Sequence, residues 1–317
     1  GNEIGTDQIT NIENVIGGSG ADKITGNELA NSITGGAGND TLVGGVGDDV
    51  YLFDSGSGTD VITEEIGSTS GGGIDKIDTS AVSANTTVRK LRDGTFALTF
   101  GGDSITFDKV ERLAGGAGNN TLDFSASTEG VFVNLTTQVA ADFTLVTGYR
   151  NVVGSDFDDI LVGNEFANSL TGGKGNDRFS GQGGVDSIDG GTGYDSLLEV
   201  RDGNFVLTNS SLLFTSPGVS ESDTLSGIDS ASLAGELGNN LIDASGFKPL
   251  LTTTDLAGLN LGAGVDLAAN DLKLQLRDGS LVSVNLASAV TINDVLNAIV
   301  AAAPGGVTLT AALNLDS

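Results

Sequence analysis

A nine-residue repeat constrains this chain more than any other feature of its sequence. Residues 154–198 divide without remainder into five nonapeptides: GSDFDDILV, GNEFANSLT, GGKGNDRFS, GQGGVDSID and GGTGYDSLL. Residues 17–52 give four more: GGSGADKIT, GNELANSIT, GGAGNDTLV and GGVGDDVYL. A fixed short period of this kind is typical of solenoid proteins.

The positions within the nonapeptide predict a turn followed by a strand. Glycines at the first, second and fourth positions permit positive φ angles and close backbone packing, so that backbone carbonyls point inward at one spot. The sixth position adds an acidic side chain there. The last three residues form a short strand with one inward apolar residue at the eighth position, and examples are Ile24, Leu42, Leu161, Phe179 and Leu197. Two nonapeptides then form one coil of a parallel solenoid.

Stacking of these coils brings acidic side chains together. Turns n and n+2 lie on the same edge, which pairs Asp22 with Asp40 and places Asp177 between Asp159 and Asp195. Like charges at a strand spacing of about 4.8 Å repel one another unless a cation lies between them. Calcium takes six to eight oxygen ligands, whereas magnesium demands an octahedron with several waters. We therefore predict several bound calcium ions, at least five.

The repeat resembles the RTX (repeats-in-toxin) calcium-binding β-roll, with the pattern G-G-x-G-x-D-x-apolar-x. The resemblance covers residues 17–52 and 154–198. It implies that the first six residues of each repeat bind calcium between successive turns. The metal ligands it implies are Asp22, Asp40, Asp49, Asp159, Asp177, Asp186 and Asp195, the looser copies Asp7, Asp60 and Asp75, the amides Asn31 and Asn168, and Gly17, Gly35, Gly44, Gly154, Gly172 and Gly190.

Two alternatives concern these turns. Asn31 and Asn168 either ligate an ion through the amide oxygen, which adds no charge, or stand in turns that require no ion. The sequence leaves both open. A solvated glycine-rich linker is the other alternative, and nine in-register copies with a fixed apolar position disfavour it.

Composition excludes several classes of function. The chain has 42 acidic and 14 basic residues, a net charge of −28, and no histidine, cysteine, methionine or tryptophan. These features exclude zinc, haem, thiol and histidine-based chemistry, a disulfide framework, and nucleic acid as a default partner. No apolar run approaches the length of a membrane span. Carboxylate pairs on a β-solenoid can cleave polysaccharides, but here calcium binding already explains them, so we expect no enzyme activity.

Insertions separate the repeat blocks. LAGGAGNNTLDFS at 113–125 and LAGELGNNLIDAS at 233–245 agree at eight of thirteen positions, which indicates a duplicated module. Each copy contains an Asp-Gly pair, Asp93-Gly94 or Asp202-Gly203, and an alternating segment, FALTF or FVLT, so hairpins are predicted. The sequence does not decide whether these hairpins interrupt a continuous solenoid.

The last part of the chain has a different pattern. Leu272, Leu274 and Leu276 alternate with polar residues ahead of a second apolar run from Leu281, which predicts a hairpin. A capping box from Thr291 to Asp294 opens a predicted helix that ends at Pro304, and a strand follows. This ββαβ unit resembles the hook IN motif of flagellar filament-associated proteins.

The predicted fold class is therefore mainly β: a parallel β-roll or β-solenoid with calcium-binding turns, β-hairpin insertions and a small C-terminal ββαβ unit. The expected segments are repeat blocks at 1–80 and 148–198, β-rich insertions at 81–147 and 199–250, and the ββαβ unit at 251–317.

The expected function is a calcium-dependent structural segment of an extracellular surface protein or adhesin. Segments such as NIENVIGGSG support that context, because they resemble parts of very large secreted bacterial adhesin-like proteins. Besides calcium, two partner hypotheses are self-association into a fibre or filament and binding of cell-surface or matrix glycans. A filament subunit assembled through end strands is the main alternative function, and a polysaccharide-active enzyme is the weaker one.

Overall fold

The computed structural model describes residues 13–64, 73–235, 240–247, 272–275 and 281–284, together with Val295, Asn297 and Ala301. The chain divides into two compact units, Gly1–Phe247 and Lys248–Ser317. The described residues of the first unit form three β-sheets, and those of the second include one β-hairpin.

One long sheet of 14 strands extends through the described part of the first unit. Its strands, in spatial order, are β2 (Lys23–Thr25), β4 (Thr41–Val43), β6 (Thr59–Ile62), β10 (Asp103–Phe107), β9 (Phe96–Phe100), β8 (Thr87–Lys90), β12 (Asn120–Asp123), β16 (Tyr149–Val153), β18 (Ser169–Lys174), β20 (Ser187–Thr192), β24 (Val219–Ser226), β23 (Ser211–Ser216), β22 (Asn204–Thr208) and β26 (Ile242–Gly246).

Two shorter sheets, here called the lateral sheets, have six strands each. The first contains β1 (Asn14–Gly18), β3 (Ser32–Gly36), β5 (Val50–Leu52), β7 (Lys76–Asp78), β11 (Arg112–Ala114) and β15 (Leu145–Thr147). The second contains β14 (Val139–Ala140), β13 (Phe132–Asn134), β17 (Ile160–Val162), β19 (Arg178–Ser180), β21 (Ser196–Val200) and β25 (Ser230–Ala234).

The strand registers confirm that two nonapeptides make one coil. Among the strands of the nonapeptides, consecutive strands alternate between the long sheet and a lateral sheet, and parallel partners are 18 residues apart. Ile24 pairs with Leu42 in the long sheet. Leu161 pairs with Phe179, which pairs with Leu197, in the second lateral sheet. The solenoid prediction is therefore confirmed.

The eighth-position side chains form the core. Leu42, Leu161, Phe179 and Leu197 are buried, and Ile24 is nearly so, within one hydrophobic cluster that continues through both repeat blocks. Burying a side chain of this size contributes about 1.5–3 kcal/mol. A one-residue slip would turn these side chains to solvent, so the ladder also fixes the register that aligns the turns.

The predicted hairpins are present and lie within the long sheet. Strands β8, β9 and β10 form an antiparallel meander whose outer strands pair in parallel with β12 and β6. Strands β22, β23 and β24 form a second antiparallel meander, whose outer strands pair in parallel with β26 and β20. The insertions therefore extend the long sheet without interrupting it.

One predicted turn differs from the structure. Asp93-Gly94 lies in the connection between β8 and β9, as expected for a hairpin turn. Asp202-Gly203 instead connects β21 in the second lateral sheet to β22 in the long sheet. The chain crosses between the sheets before the second meander begins. The turns of that meander therefore come later, between β22 and β23 and at Pro217-Gly218 between β23 and β24.

In the second unit, β27 (Leu272–Gln275) and β28 (Leu281–Val284) pair antiparallel, which confirms the predicted hairpin. Val295, Asn297 and Ala301 are helical and fall within the predicted helix. The returning strand lies outside the described residues, and the hook IN resemblance stays a prediction. In the part of the chain that the structure describes, no helix is long and apolar enough to cross a membrane.

Candidate metal centre

The sixth-position side chains form hydrogen-bonded ladders along the edges of the solenoid. The Oδ1 atom of one side chain accepts the backbone N–H of its counterpart in the preceding coil. Asp40 Oδ1 accepts from Asp22 N at 2.8 Å, Asp177 Oδ1 from Asp159 N at 2.8 Å, and Asp195 Oδ1 from Asp177 N at 2.8 Å. The structure therefore brings together all three aspartate pairs that the spacing predicted.

The other predicted residues continue these ladders. Four further contacts join Asn31 N to Asp49 Oδ1 (2.7 Å), Asp40 N to Asp60 Oδ1 (2.8 Å), Asp49 N to Asp75 Oδ1 (2.8 Å) and Asn168 N to Asp186 Oδ1 (2.8 Å). Asp223 takes the same position beyond Asp186, at 2.9 Å. Asp7 lies outside the described residues.

The second carboxylate oxygen is the notable feature of these turns. At seven positions Oδ2 is buried and has no hydrogen-bond partner: Asp22, Asp40, Asp49, Asp60, Asp177, Asp186 and Asp195. A buried anionic oxygen without a donor carries a large desolvation cost. A bound cation would remove that cost at every one of these positions.

At several of these turns, a backbone carbonyl oxygen lies beside the same glycine as the Oδ2 atom. A β-carbon on Gly172 would lie 2.0 Å from Asp177 Oδ2 and 2.6 Å from the carbonyl oxygen of Gly190. A β-carbon on Gly190 would lie 2.6 Å from Asp195 Oδ2 and 2.3 Å from the carbonyl oxygen of Gly227. Two other glycines have the same surroundings. Gly17 lies beside Asp22 Oδ2 and the Gly35 carbonyl oxygen. Gly154 lies beside Asp159 Oδ2 and the Gly172 carbonyl oxygen.

The glycines serve two different purposes, which corrects part of the sequence interpretation. Second- and fourth-position glycines do have positive φ, for example Gly36 at 101° and Gly38 at 141°. First-position glycines such as Gly35 and Gly44 do not have such angles. A β-carbon on either would lie 2.2 Å from the Oδ2 of Asp40 or Asp49. The first glycine is therefore required for space beside the carboxylate.

Burial shapes the electrostatics of the ladder. Desolvation raises the pKa of Asp177 to about 7, an effect opposed by the Asp159 N–H and reinforced by the charges of Asp159 and Asp195. The same cause raises the pKa of Asp186 to about 8 and that of Asp60 to about 6. A raised carboxyl pKa means that the negative charge is unfavourable there unless another charge compensates it.

In the asparagine turns, the sixth-position side chain forms hydrogen bonds with the protein backbone. Asn168 Oδ1 accepts the N–H of Asn164 at 2.7 Å, and its Nδ2 donates to the Arg150 carbonyl at 2.9 Å. Asn31 Oδ1 likewise accepts from Asn27 N at 2.9 Å. This pattern favours the alternative in which asparagine turns require no ion. Ser155 similarly satisfies both oxygens of Asp159, through its N–H and its hydroxyl.

Two glutamates outside the repeats were missed by sequence reasoning. The Glu64 carboxylate accepts a hydrogen bond from the Tyr51 hydroxyl and lies near the Gly44 N–H, and Glu199 Oε1 accepts from the Gly181 N–H at 2.5 Å. Burial raises the pKa of each glutamate to about 7. Glu199 directly follows the last nonapeptide, where the period would place a first-position glycine, and that departure from the pattern was an available signal.

Comparisons with known proteins agree with this geometry. A family model described as the RTX calcium-binding nonapeptide repeat (4 copies) matches residues 16–51, 26–62, 106–123, 153–188 and 162–197. A search of curated proteins finds no match.

Among solved structures, the chain is similar to extracellular lipase LipA from Serratia marcescens, at 20% identity with a TM-score of 0.25. That similarity covers 65% of this chain and 37% of the lipase chain. The chain thus spans well under half of that structure. The family match covers the two repeat blocks, residues 16–62 and 153–197, and the shorter segment 106–123, and in these segments the chain is similar to RTX calcium-binding nonapeptide repeats.

Proposed function

We propose that this chain is a calcium-dependent structural segment of an extracellular surface protein or adhesin. Calcium ions between stacked turns would hold its solenoid in one rigid form. The observation that carries the proposal is the set of seven buried Oδ2 atoms without hydrogen-bond partners. Several of them lie beside a glycine carbonyl oxygen from the next coil.

The donor set is that of a hard cation. Every candidate ligand is an oxygen: aspartate Oδ2 from one turn and the first-glycine carbonyl from the turn one coil later, as at Asp177 with Gly190. Carboxylates and carbonyls that already converge suit calcium, whereas magnesium retains several waters. We assign the ions to the aspartate turns that lack an internal partner, and we expect at least five per chain, within the seven such turns.

Charge connects ion binding to folding. The chain has a net charge of −28 and stacks carboxylates in the protein interior, so folding without cations is opposed by repulsion and desolvation. Extracellular calcium modules bind with dissociation constants of about 10⁻⁴ to 10⁻³ M. Calcium at such concentrations is found outside cells, so the chain would fold after secretion.

The accessibility of the acidic residues supports a structural role over catalysis. Asp177 is 0% exposed, and its neighbours in the ladder, Asp159 and Asp195, are also buried. A glycan could not reach these carboxylates without opening the stack. The calcium-binding turns therefore give no support to a polysaccharide-active enzyme.

Isothermal titration calorimetry with calcium, combined with circular dichroism before and after chelation, tests the proposal. We expect at least five bound ions, loss of β-structure in excess chelator, and no equivalent effect of magnesium at the same concentration. Full β-structure in chelator, or the absence of calcium binding, would contradict it.

A further inference from the structure

Each repeat block ends with a glutamate placed where the coil geometry expects a first-position glycine. Glu199 lies 18 residues after Gly181, whose N–H it accepts. Glu64 lies 20 residues after Gly44, and its carboxylate is near the Gly44 N–H. That offset equals the 20 residues between Asp40 and Asp60 on the other edge of the same coil. Glu64 and Glu199 therefore occupy equivalent positions in their respective coils.

The first glutamate joins two ladder aspartates. Asp49, Glu64 and Asp75 are 0%, 3% and 4% exposed, and each offers a carboxylate oxygen within 4.8 Å of the others. The Oδ2 of Asp49 has no hydrogen-bond partner. It lies 2.2 Å from the position of a β-carbon on Gly44, the glycine whose N–H is near the Glu64 carboxylate. An unpartnered buried oxygen therefore lies on the glutamate side of the turn.

The second glutamate has a looser setting. Asp186 donates its N–H to Asp223 Oδ1 at 2.9 Å, as Asp49 does to Asp75. Asp186 Oδ2 and Glu199 Oε2 are both buried without a hydrogen-bond partner. The carboxylate oxygens of Asp186, Glu199 and Asp223 do not all lie within 4.8 Å of one another, so among the described residues Asp49, Glu64 and Asp75 form the one convergent carboxylate triad.

Building on the proposed function, we propose that the Asp49–Glu64–Asp75 triad is a terminal calcium site, in which Glu64 supplies a carboxylate in place of the glycine carbonyl used within the repeats. The site would tie the last regular coil of the first block to the chain that returns after an insertion. Asp75 returns 26 residues after Asp49.

Basic side chains do not neutralise the triad. Lys109 Nζ donates to the Glu64 carbonyl oxygen at 3.1 Å, not to a carboxylate of the triad. Among the described residues, the ion pairs of lysine and arginine involve other acidic side chains. The three carboxylates therefore lack compensation from protein charges, and a bound cation would supply it.

Glutamine substitutions test the proposal because they preserve shape and remove charge. Titration calorimetry with calcium is expected to show one ion fewer in Glu64→Gln than in the unmodified chain. Glu28→Gln and Glu165→Gln change exposed glutamates within the repeats and serve as matched controls that retain every ion. Circular dichroism in saturating calcium checks that each variant is folded.

Tyr51 provides an independent readout, because its hydroxyl donates to Glu64 and the chain has 3 tyrosines and no tryptophan. The calcium-induced change in the near-ultraviolet tyrosine signal is expected to diminish in both Glu64→Gln and Tyr51→Phe. Tyr51→Phe retains the full number of ions.

The outcomes separate this inference from the function on which it rests. An unchanged ion number and affinity in Glu64→Gln, with an ion lost in Asp177→Asn, overturns only the terminal site. Absence of calcium binding by the unmodified chain overturns both proposals. If Glu64→Gln does not fold, Asp75→Asn removes the charge of another triad member and tests the same site.

Discussion

Replacing Asp177 by asparagine isolates the contribution of one bound ion. Asp177 lies in the middle of three stacked turns, accepting from Asp159 N and donating to Asp195 Oδ1, both at 2.8 Å. An asparagine keeps the Oδ1 acceptor and the backbone donor. Asn31 and Asn168 already occupy the equivalent position, so the fold accommodates the amide. The variant therefore loses the charge at Oδ2 while retaining the ladder.

The magnitude follows from ligand linkage. At a free calcium concentration about 100-fold above the dissociation constant, one ion bound only by the folded state contributes about 2.7 kcal/mol. In a unit of this size each kcal/mol changes Tm by about 2–4 °C, so we expect Tm to fall by roughly 5–11 °C. Circular dichroism melts in calcium measure this, and calcium titrations should show a higher midpoint.

Two comparison variants make the test specific. Asp189→Asn makes the same chemical change at an exposed position in the same block and should leave Tm within about 1 °C. Asp22→Asn lies at the first described coil, is only half-buried, and should cost less than Asp177→Asn. Equal Tm values for Asp177→Asn and Asp189→Asn in saturating calcium would refute the assignment of an ion to Asp177.

Three further predictions follow from the same geometry. In calcium-free protein, burial raises the pKa of Asp177 to about 7 and that of Asp186 to about 8, so the stability that they contribute is present below about pH 4 and is lost as the pH rises through 7 to 8; circular dichroism in excess chelator should show β-structure near pH 4 that is lost by pH 8, and a signal independent of pH would contradict this. Gly172→Ala places a β-carbon 2.0 Å from Asp177 Oδ2 and should weaken calcium binding in titrations, whereas Gly94→Ala, where no atom lies within 4 Å of the added carbon, should leave binding unchanged despite its backbone strain. Because both blocks share the long sheet and one core, calorimetry of Asp177→Asn should show a single transition at lower temperature, and two separated transitions would show that the blocks unfold independently.

The repeat period made most of the fold predictable. A nine-residue period with one fixed apolar position determines which strands pair, which side chains point inward and which aspartates stack. Leu161, Phe179 and Leu197 follow that rule, and so does the ladder from Asp159 through Asp177. Local spacing was sufficient because each coil repeats the contacts of its neighbour.

Features that depend on where an insertion returns were not predictable. Asp75 meets Asp49 only because the chain re-enters the stack 26 residues later, and no local period encodes that length. The carboxylate triad of Asp49, Glu64 and Asp75 forms through the same return of the chain. The pair Asp202-Gly203 has the same local chemistry as Asp93-Gly94, yet it crosses between sheets, because Val200 is still paired with Ala234 in β21 and β25.

The arrangement of sheets explains how two repeat blocks can act as one mechanical element. The first lateral sheet ends at β15 and the second begins at β14, so in the described residues neither lateral sheet passes from one block to the other. The long sheet does pass, because β12 pairs with β8 on one side and β16 on the other. Calcium between the turns would stiffen each block, while backbone hydrogen bonds and the shared core transmit load between them. In-line meanders fit this role, since they lengthen the sheet without creating a flexible linker.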